Sequence, residues 1–167
     1  MRASDILVEA VLPPQLYAPH PRSEQYPKPV REAMNHKPRA QVWTSTARQT
    51  TRGWTSEWVQ WCQNEMPGWV GTRGFLFDVS NGARILTIRS DRDAARIARR
   101  YGAEINNDID LFRLMPWAAI QADYDAIRYQ PRGHDFFMGL WDVESTAWFD
   151  TAFLQNRRAV DLAPPQN

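Results

Sequence analysis

Cysteine is almost missing from this chain: Cys62 stands alone among 167 residues. One thiol excludes an intrachain disulfide framework and the paired-cysteine zinc sites of many small domains. Histidine is scarce as well. His20, His36 and His134 are the only ones, no two of them at helical i, i+4 spacing, so no metal site is expected. A surplus of one charge is also lacking: 20 basic and 19 acidic side chains leave a net +1, too little to steer the chain onto nucleic acid or anionic lipid. No apolar run approaches the ~20 residues of a membrane-spanning helix. The apolar stretch of Met1–Leu12 is too short for a secretory leader and is interrupted by Glu9, so a cytoplasmic location is expected. Neither Gly-x-Gly-x-x-Gly nor Gly-Lys-Ser/Thr occurs, which removes the two common phosphate-cradling loops.

What is present suits one globular domain spanning 1–167. Hydrophobic residues make up 43% and charged ones 23%, so the chain does not have the low-hydrophobicity, high-charge composition of disorder. A chain of this length buries roughly two thirds of its unfolded surface, enough for a core without staples. The unusual feature is eight tryptophans. Each buries a large area and needs a partner for its indole N–H, which points to an aromatic core or to a ring-lined pocket or interface. The basic residues are overwhelmingly arginine, with Lys28 and Lys37 as the lysines.

Strands and helices are expected to mix without regular β-α alternation, an α+β pattern with mixed or antiparallel sheets and short flanking helices. Asp5–Leu12 reads as a first strand ending at Pro13-Pro14. Seven prolines between positions 13 and 38 predict a long extended loop, because each removes a donor and restricts its predecessor. Ala40–Thr46 reads as a strand. Trp54–Met66 reads as a helix with Trp58, Trp61 and Cys62 on one apolar stripe and Glu57, Gln60 and Gln63 facing away. Pro67-Gly68 ends it. On that stripe Cys62 reads as an inert core thiol. Gly74–Val79 and Ala83–Arg89 are strands around Ser80-Asn81-Gly82, where Asn-Gly predicts a tight hairpin. Ser90 caps a helix over Asp91–Tyr101, with Asp93 completing a capping box and Gly102 as the stop. Ala94, Ile97, Ala98 and Tyr101 form its buried face, and Arg96, Arg99 and Arg100 its solvated one. Pro116–Asp123 is a further short helix; Ala126–Tyr129, Ser145–Phe149 and Arg158–Leu162 are strands. The tail 163–167, with Pro164-Pro165, is expected to fray.

The segment Gly139–Phe149 is the most distinctive. Asp142 and Glu144 stand at i, i+2, which on a strand puts both carboxylates on one face, with Trp141 and Val143 on the other. Two acids beside the Ser145 and Thr146 hydroxyls could support acid/base or charge-stabilising work, while a solvated strand edge or a turn is the commoner setting for such a pair.

Lys37–Thr46, Ser56–Cys62, Arg84–Ser90, Ala122–Ile127 and Leu140–Thr146, taken in that order, resemble a set of phage and actinobacterial proteins with ADP-ribosyltransferase-like folds. The resemblance spans Lys37–Phe149, and each motif is short. It implies an NAD-dependent mono-ADP-ribosyltransferase-like protein of the His-Tyr-Glu type, acting on a host protein or nucleic acid. In that family a first-strand histidine holds the ribose of NAD, an aromatic ring stacks on nicotinamide, and a late glutamate stabilises the cation-like sugar. Carried over, Trp43 takes the aromatic position with Ser45 beside it, and Glu144 takes the catalytic one. A planar cation suits a ring face, and an oxocarbenium-like centre suits a carboxylate. The departure is at the clamp: Asp5–Leu12 holds neither histidine nor arginine, which leaves His20 or Arg22 to substitute. Two other readings stand beside it: a non-enzymatic phage structural or host-interaction protein using a tryptophan-rich surface, and single-stranded nucleic-acid binding by stacking, which the balanced charge disfavours.

Overall fold

Leu86, Ile127 and Ala147 are fully buried and lie directly opposite one another on three neighbouring strands. Rows of this kind define the architecture. The computed structural model describes residues 8–9, 12–21, 38–131, 141 and 143–165. Its strands are β1 (Val8–Glu9), β2 (Gln15–Tyr17), β3 (Val42–Thr46), β4 (Arg48–Thr50), β5 (Gly53–Thr55), β6 (Arg73–Val79), β7 (Ile85–Ile88), β8 (Ala126–Tyr129), β9 (Ser145–Trp148) and β10 (Leu154–Asp161). Eight form one sheet in the order β1-β7-β8-β9-β3-β2-β6-β10, and β4 with β5 makes a small ribbon. Among the described strands of that sheet, only the β7–β8 pair is parallel. The helices are α1 (Glu57–Glu65), α2 (Asp91–Arg100), α3 (Asp108–Arg113) and α4 (Trp117–Asp123). The fold is α+β, as the element pattern predicts.

Alternation along the strands decides what each face buries. The row Trp43, Ala147, Ile127, Leu86 faces a core completed by Ala94, Ile97 and Ala98 of α2 and Ile120 of α4. The adjacent row Val42, Trp148, Ala126, Ile85 faces a second cluster with Leu12 and Ala83. A third cluster joins Val59 of α1 to Leu16 and Leu162.

Several local expectations hold closely. Ser90 Oγ accepts from Asp93 N at 3.2 Å, and the Asp93 carboxylate reaches back to Arg89 N at 3.2 Å. The helix between buries Ala94, Ile97 and Ala98 and exposes Arg96, Arg99 and Arg100. Gly102, at φ +83°, follows its end. Other expectations are corrected. Strands form on both sides of Ser80-Asn81-Gly82, yet they do not pair: β6 lies between β2 and β10, and β7 lies between β1 and β8. A type I′ turn needs positive φ at both central residues; here Gly82 adopts φ +95° while Asn81 is not among the positive-φ residues. Both strands bury side chains on two faces, and distant strands satisfy that demand better than each other. The expected loop 13–38 contains β2, which pairs with β3 and β6. Its prolines at 13 and 14 precede the strand and leave the N–H groups of 15–17 available. Most of the remainder of that loop, like Asp142 and all of Asp5–Leu12 except Val8, Glu9 and Leu12, lies outside the described residues.

The expected helix start at Trp54 belongs instead to β5, and α1 begins after Ser56, whose Oγ accepts from Val59 N at 3.2 Å. Gly53 explains the delay: at φ +129° it passes so close to the chain end that a Cβ would stand 2.8 Å from the Asp161 carbonyl oxygen. The buried face of α1 is Val59 with Cys62, while Trp58 and Trp61 stack at 5.3 Å and stay half-buried. Ala163, the first residue of the expected frayed tail, donates to the Trp54 carbonyl at 2.7 Å and accepts from Gln63 at 2.8 Å.

The sheet's edge is clasped by charge. Arg158 of β10 donates to both oxygens of Asp78, at 3.1 and 2.9 Å, and Asn156 adds a bond at 3.0 Å. The Arg158 hydrogen bond, then that of Asn156, holds the Asp78 carboxyl down at about 2. A carboxyl lowered on folding stabilises the folded state above the ordinary aspartate range. That contribution fades as pH falls through the folded value. A carbon-detected NMR titration should find the Asp78 midpoint near 2, and Arg158→Ala should return it toward the usual ~3.9.

Candidate functional site

Glu144 directly precedes β9, and its backbone N–H donates to the Glu57 carboxylate of α1 at 3.1 Å. Its side chain is inside the molecule, 5% exposed. Four donors converge on it. Oε2 accepts from the Ser45 hydroxyl at 2.8 Å and Thr46 N at 2.9 Å; Oε1 accepts from the Thr46 hydroxyl at 2.8 Å and Arg128 Nε at 3.1 Å. Arg128, 6% exposed, also donates to Thr46 Oγ1 at 3.2 Å. The Ser45 proton is divided between the carboxylate and the Glu144 carbonyl, both at 2.8 Å. An ionised carboxylate offers about four acceptor positions, and all are used.

This cluster belongs to a buried polar row. Thr44, Thr146, Arg128 and Thr87 stand opposite one another across β3, β9, β8 and β7, each less than a tenth exposed. Thr44 donates to Gln15 Oε1 at 2.8 Å and accepts from Trp148 Nε1 at 2.8 Å. The hydroxyls of Thr87 and Thr146, which flank Arg128, have no hydrogen-bond partner. Buried polar atoms in that state are uncommon and mark unused hydrogen-bonding capacity.

Of the three residues that the resemblance singles out, the structure brings Ser45 and Glu144 into direct contact. Trp43 is treated differently. Strand alternation turns its ring to the face covered by α2 and α4, away from Thr44 and Thr46. There it packs edge-to-face on Trp141 at 5.1 Å. Trp141 is itself buried, stacks on Tyr129 at 5.3 Å, meets Trp117 at 6.1 Å, and donates to Ser145 Oγ at 2.5 Å. His20, one candidate for the missing clamp, stands edge-on to Trp69 at 6.4 Å beside a cavity at the other end of β2. Arg22 lies outside the described residues.

No family model, curated protein or solved structure matches the chain. The site therefore speaks through its own chemistry.

Arg128 is the member that sequence reasoning missed. It occupies an apolar strand, Ala126–Tyr129, all four of whose residues are buried. An arginine in such a run is rarely buried unless paired, and that was the available signal. Among the described residues no group of histidine, cysteine and carboxylate side chains can hold a metal. None of their helices is long and apolar enough to cross a membrane. Cys62 is buried on α1, so its thiol should react with a disulfide reagent such as DTNB only at the rate of unfolding. Rapid stoichiometric labelling of the native chain would contradict that expectation.

Proposed function

We propose that this chain is an NAD-dependent mono-ADP-ribosyltransferase-like protein that modifies a host protein or nucleic acid, with Glu144 as its catalytic carboxylate. Its place of action is the cytoplasm, the host's where the chain is phage-encoded. The observation that carries the reading is the Ser45–Glu144 contact: two residues 99 positions apart meet at 2.8 Å, as a strand-borne serine and a late glutamate of one site would. When NAD is bound, loss of nicotinamide leaves a cation-like sugar, and an oriented, ionised carboxylate lowers that barrier electrostatically. Arg128 and the Thr46 N–H fix its orientation. The buried hydroxyls of Thr87 and Thr146 have no hydrogen-bond partner, and a ligand would reach them only if the strands' packing opened.

The fit to NAD is partial. Every acceptor position of Glu144 is taken, so a ribose hydroxyl has to replace one of the present donors. Ser45, whose proton is already shared, is the simplest to redirect. The ring of Trp43 packs into the aromatic cluster, and a nicotinamide-stacking role requires that cluster to open. Those two features favour the second reading, in which the Arg128–Glu144 pair is an internal anchor of a non-enzymatic interaction protein.

The experiment is nicotinamide release from NAD by the intact wild-type chain, followed by chromatography, alongside saturation-transfer NMR with NAD. Turnover lost in Ser45→Ala and Glu144→Gln at temperatures where both remain folded supports the transferase. Absence of both NAD binding and nicotinamide release in the wild type overturns the transferase reading.

A further inference from the structure

A cavity of about 500 Å³ opens where the end of β2 passes the start of β6 and the edge strand β10. That size lies within the ~300–1,000 Å³ typical of small-molecule sites. Pro19, Pro21, Phe75 and Ala159 supply apolar wall, and His20 and Arg73 supply polar atoms.

Three observations define what such a space would take. The Arg157 guanidinium stands 5.2 Å above the centre of the Phe75 ring, which brings positive charge to an aromatic surface. Among the described residues Arg73 pairs with Asp161 at 3.8 Å, with both side chains more than three-quarters exposed. An ion pair so long and so solvated is weak and leaves guanidinium donors for another anion. Trp69, edge-on to His20, is 48% exposed, so a second ring lies beside the cavity. Of the other charges on this edge, Arg158 is engaged bidentately by Asp78.

We propose that this cavity is a binding site for a planar aromatic ligand bearing an anionic group, chemistry shared by nucleoside monophosphates and aromatic carboxylates. The ring lies against Phe75 and the two prolines, and the anion meets Arg73, which lines the cavity. The proposal stands apart from the NAD reading, since it uses none of the Glu144 cluster.

Saturation-transfer NMR on the intact chain tests it with three probes: AMP, indole-3-acetate and adenosine. A signal from AMP alone assigns the nucleotide class, and one from indole-3-acetate alone assigns the aromatic acids; binding of both supports the shared chemistry. Adenosine, which lacks the anion, should bind at least ten-fold more weakly than AMP. Arg73→Ala, at an exposed position, should weaken the anionic probes about ten-fold. Ala159→Trp fills the cavity from an exposed position on the edge strand and should abolish their signal while leaving the melting curve in place. The proposal is overturned if neither anion shows transfer, if adenosine equals AMP, or if Ala159→Trp leaves the signals undiminished.

Discussion

Arg128→Ala is expected to destabilise the chain by about 3–5 kcal/mol, because it strands a buried carboxylate without its counter-charge. In a domain of this size each kcal/mol moves the melting temperature by about 2–4 °C, so the expected fall is roughly 6–20 °C. The reasoning rests on solvent access. The Arg128 and Glu144 side chains are 7% and 6% exposed, and water has little room to replace the guanidinium. Thr46 loses a donor at the same time. The control is the paired replacement Arg128→Met with Glu144→Leu, which removes both charges and should recover much of the loss, since buried ion pairs exchanged for apolar residues are often near neutral. Denaturant midpoints at unchanged slope provide the measurement. A cost under about 1 kcal/mol for Arg128→Ala would mean that solvent reaches the pair as it reaches surface ion pairs.

Trp148→Ala is the second large effect, again about 3–5 kcal/mol. Trp148 is fully buried in the cluster of Val42, Ile85 and Ala126. Its indole N–H supplies the Thr44 hydroxyl, which in turn supplies Gln15. The side chain thus links β9 to β3 and, through Gln15, to β2. Trp148→Phe separates the two contributions. It keeps most of the ring but leaves Thr44 without its donor, an effect of about 1–3 kcal/mol. Equal losses for the two variants would show that the hydrogen-bond chain, rather than the ring volume, holds these strands together.

The two tryptophan settings explain what the aromatic content is for. Trp43, Trp117 and Trp141 close the helical face of the sheet with Tyr129, whereas Trp148 closes the opposite one. These tryptophans chiefly fill core, and Trp69 is the large aromatic side chain left substantially exposed among the described residues.

Much of the local structure was legible in the sequence because its causes are local. Ser90, Asp93 and Gly102 bracket α2 through hydrogen bonds spanning four residues or fewer. Ala126–Tyr129 forms a strand because its residues favour extended backbone and lie after a helix that ends at Asp123. Helix α3, which the sequence reading did not identify, is nevertheless capped locally, with Asn107 Oδ1 accepting from Asp110 N at 2.9 Å. Pairing was not legible. Asn81-Gly82 is a sound turn signal, but β6 and β7 each gain more by pairing with strands far away in the chain, and a turn signal carries no information about those competitors.

The same division runs through the candidate site. From its residues alone the chain determined an α+β pattern, a balanced charge that excludes strong long-range steering, and the presence of the Glu144 carboxylate within Leu140–Thr146. The tertiary structure decided that Glu144 meets Ser45 and Arg128, and that the Trp43 ring packs into the aromatic cluster on Trp141. Strand order and register set which side chains share a row, and those follow from burying every strand's apolar faces at once, a condition on the whole chain that no short segment contains.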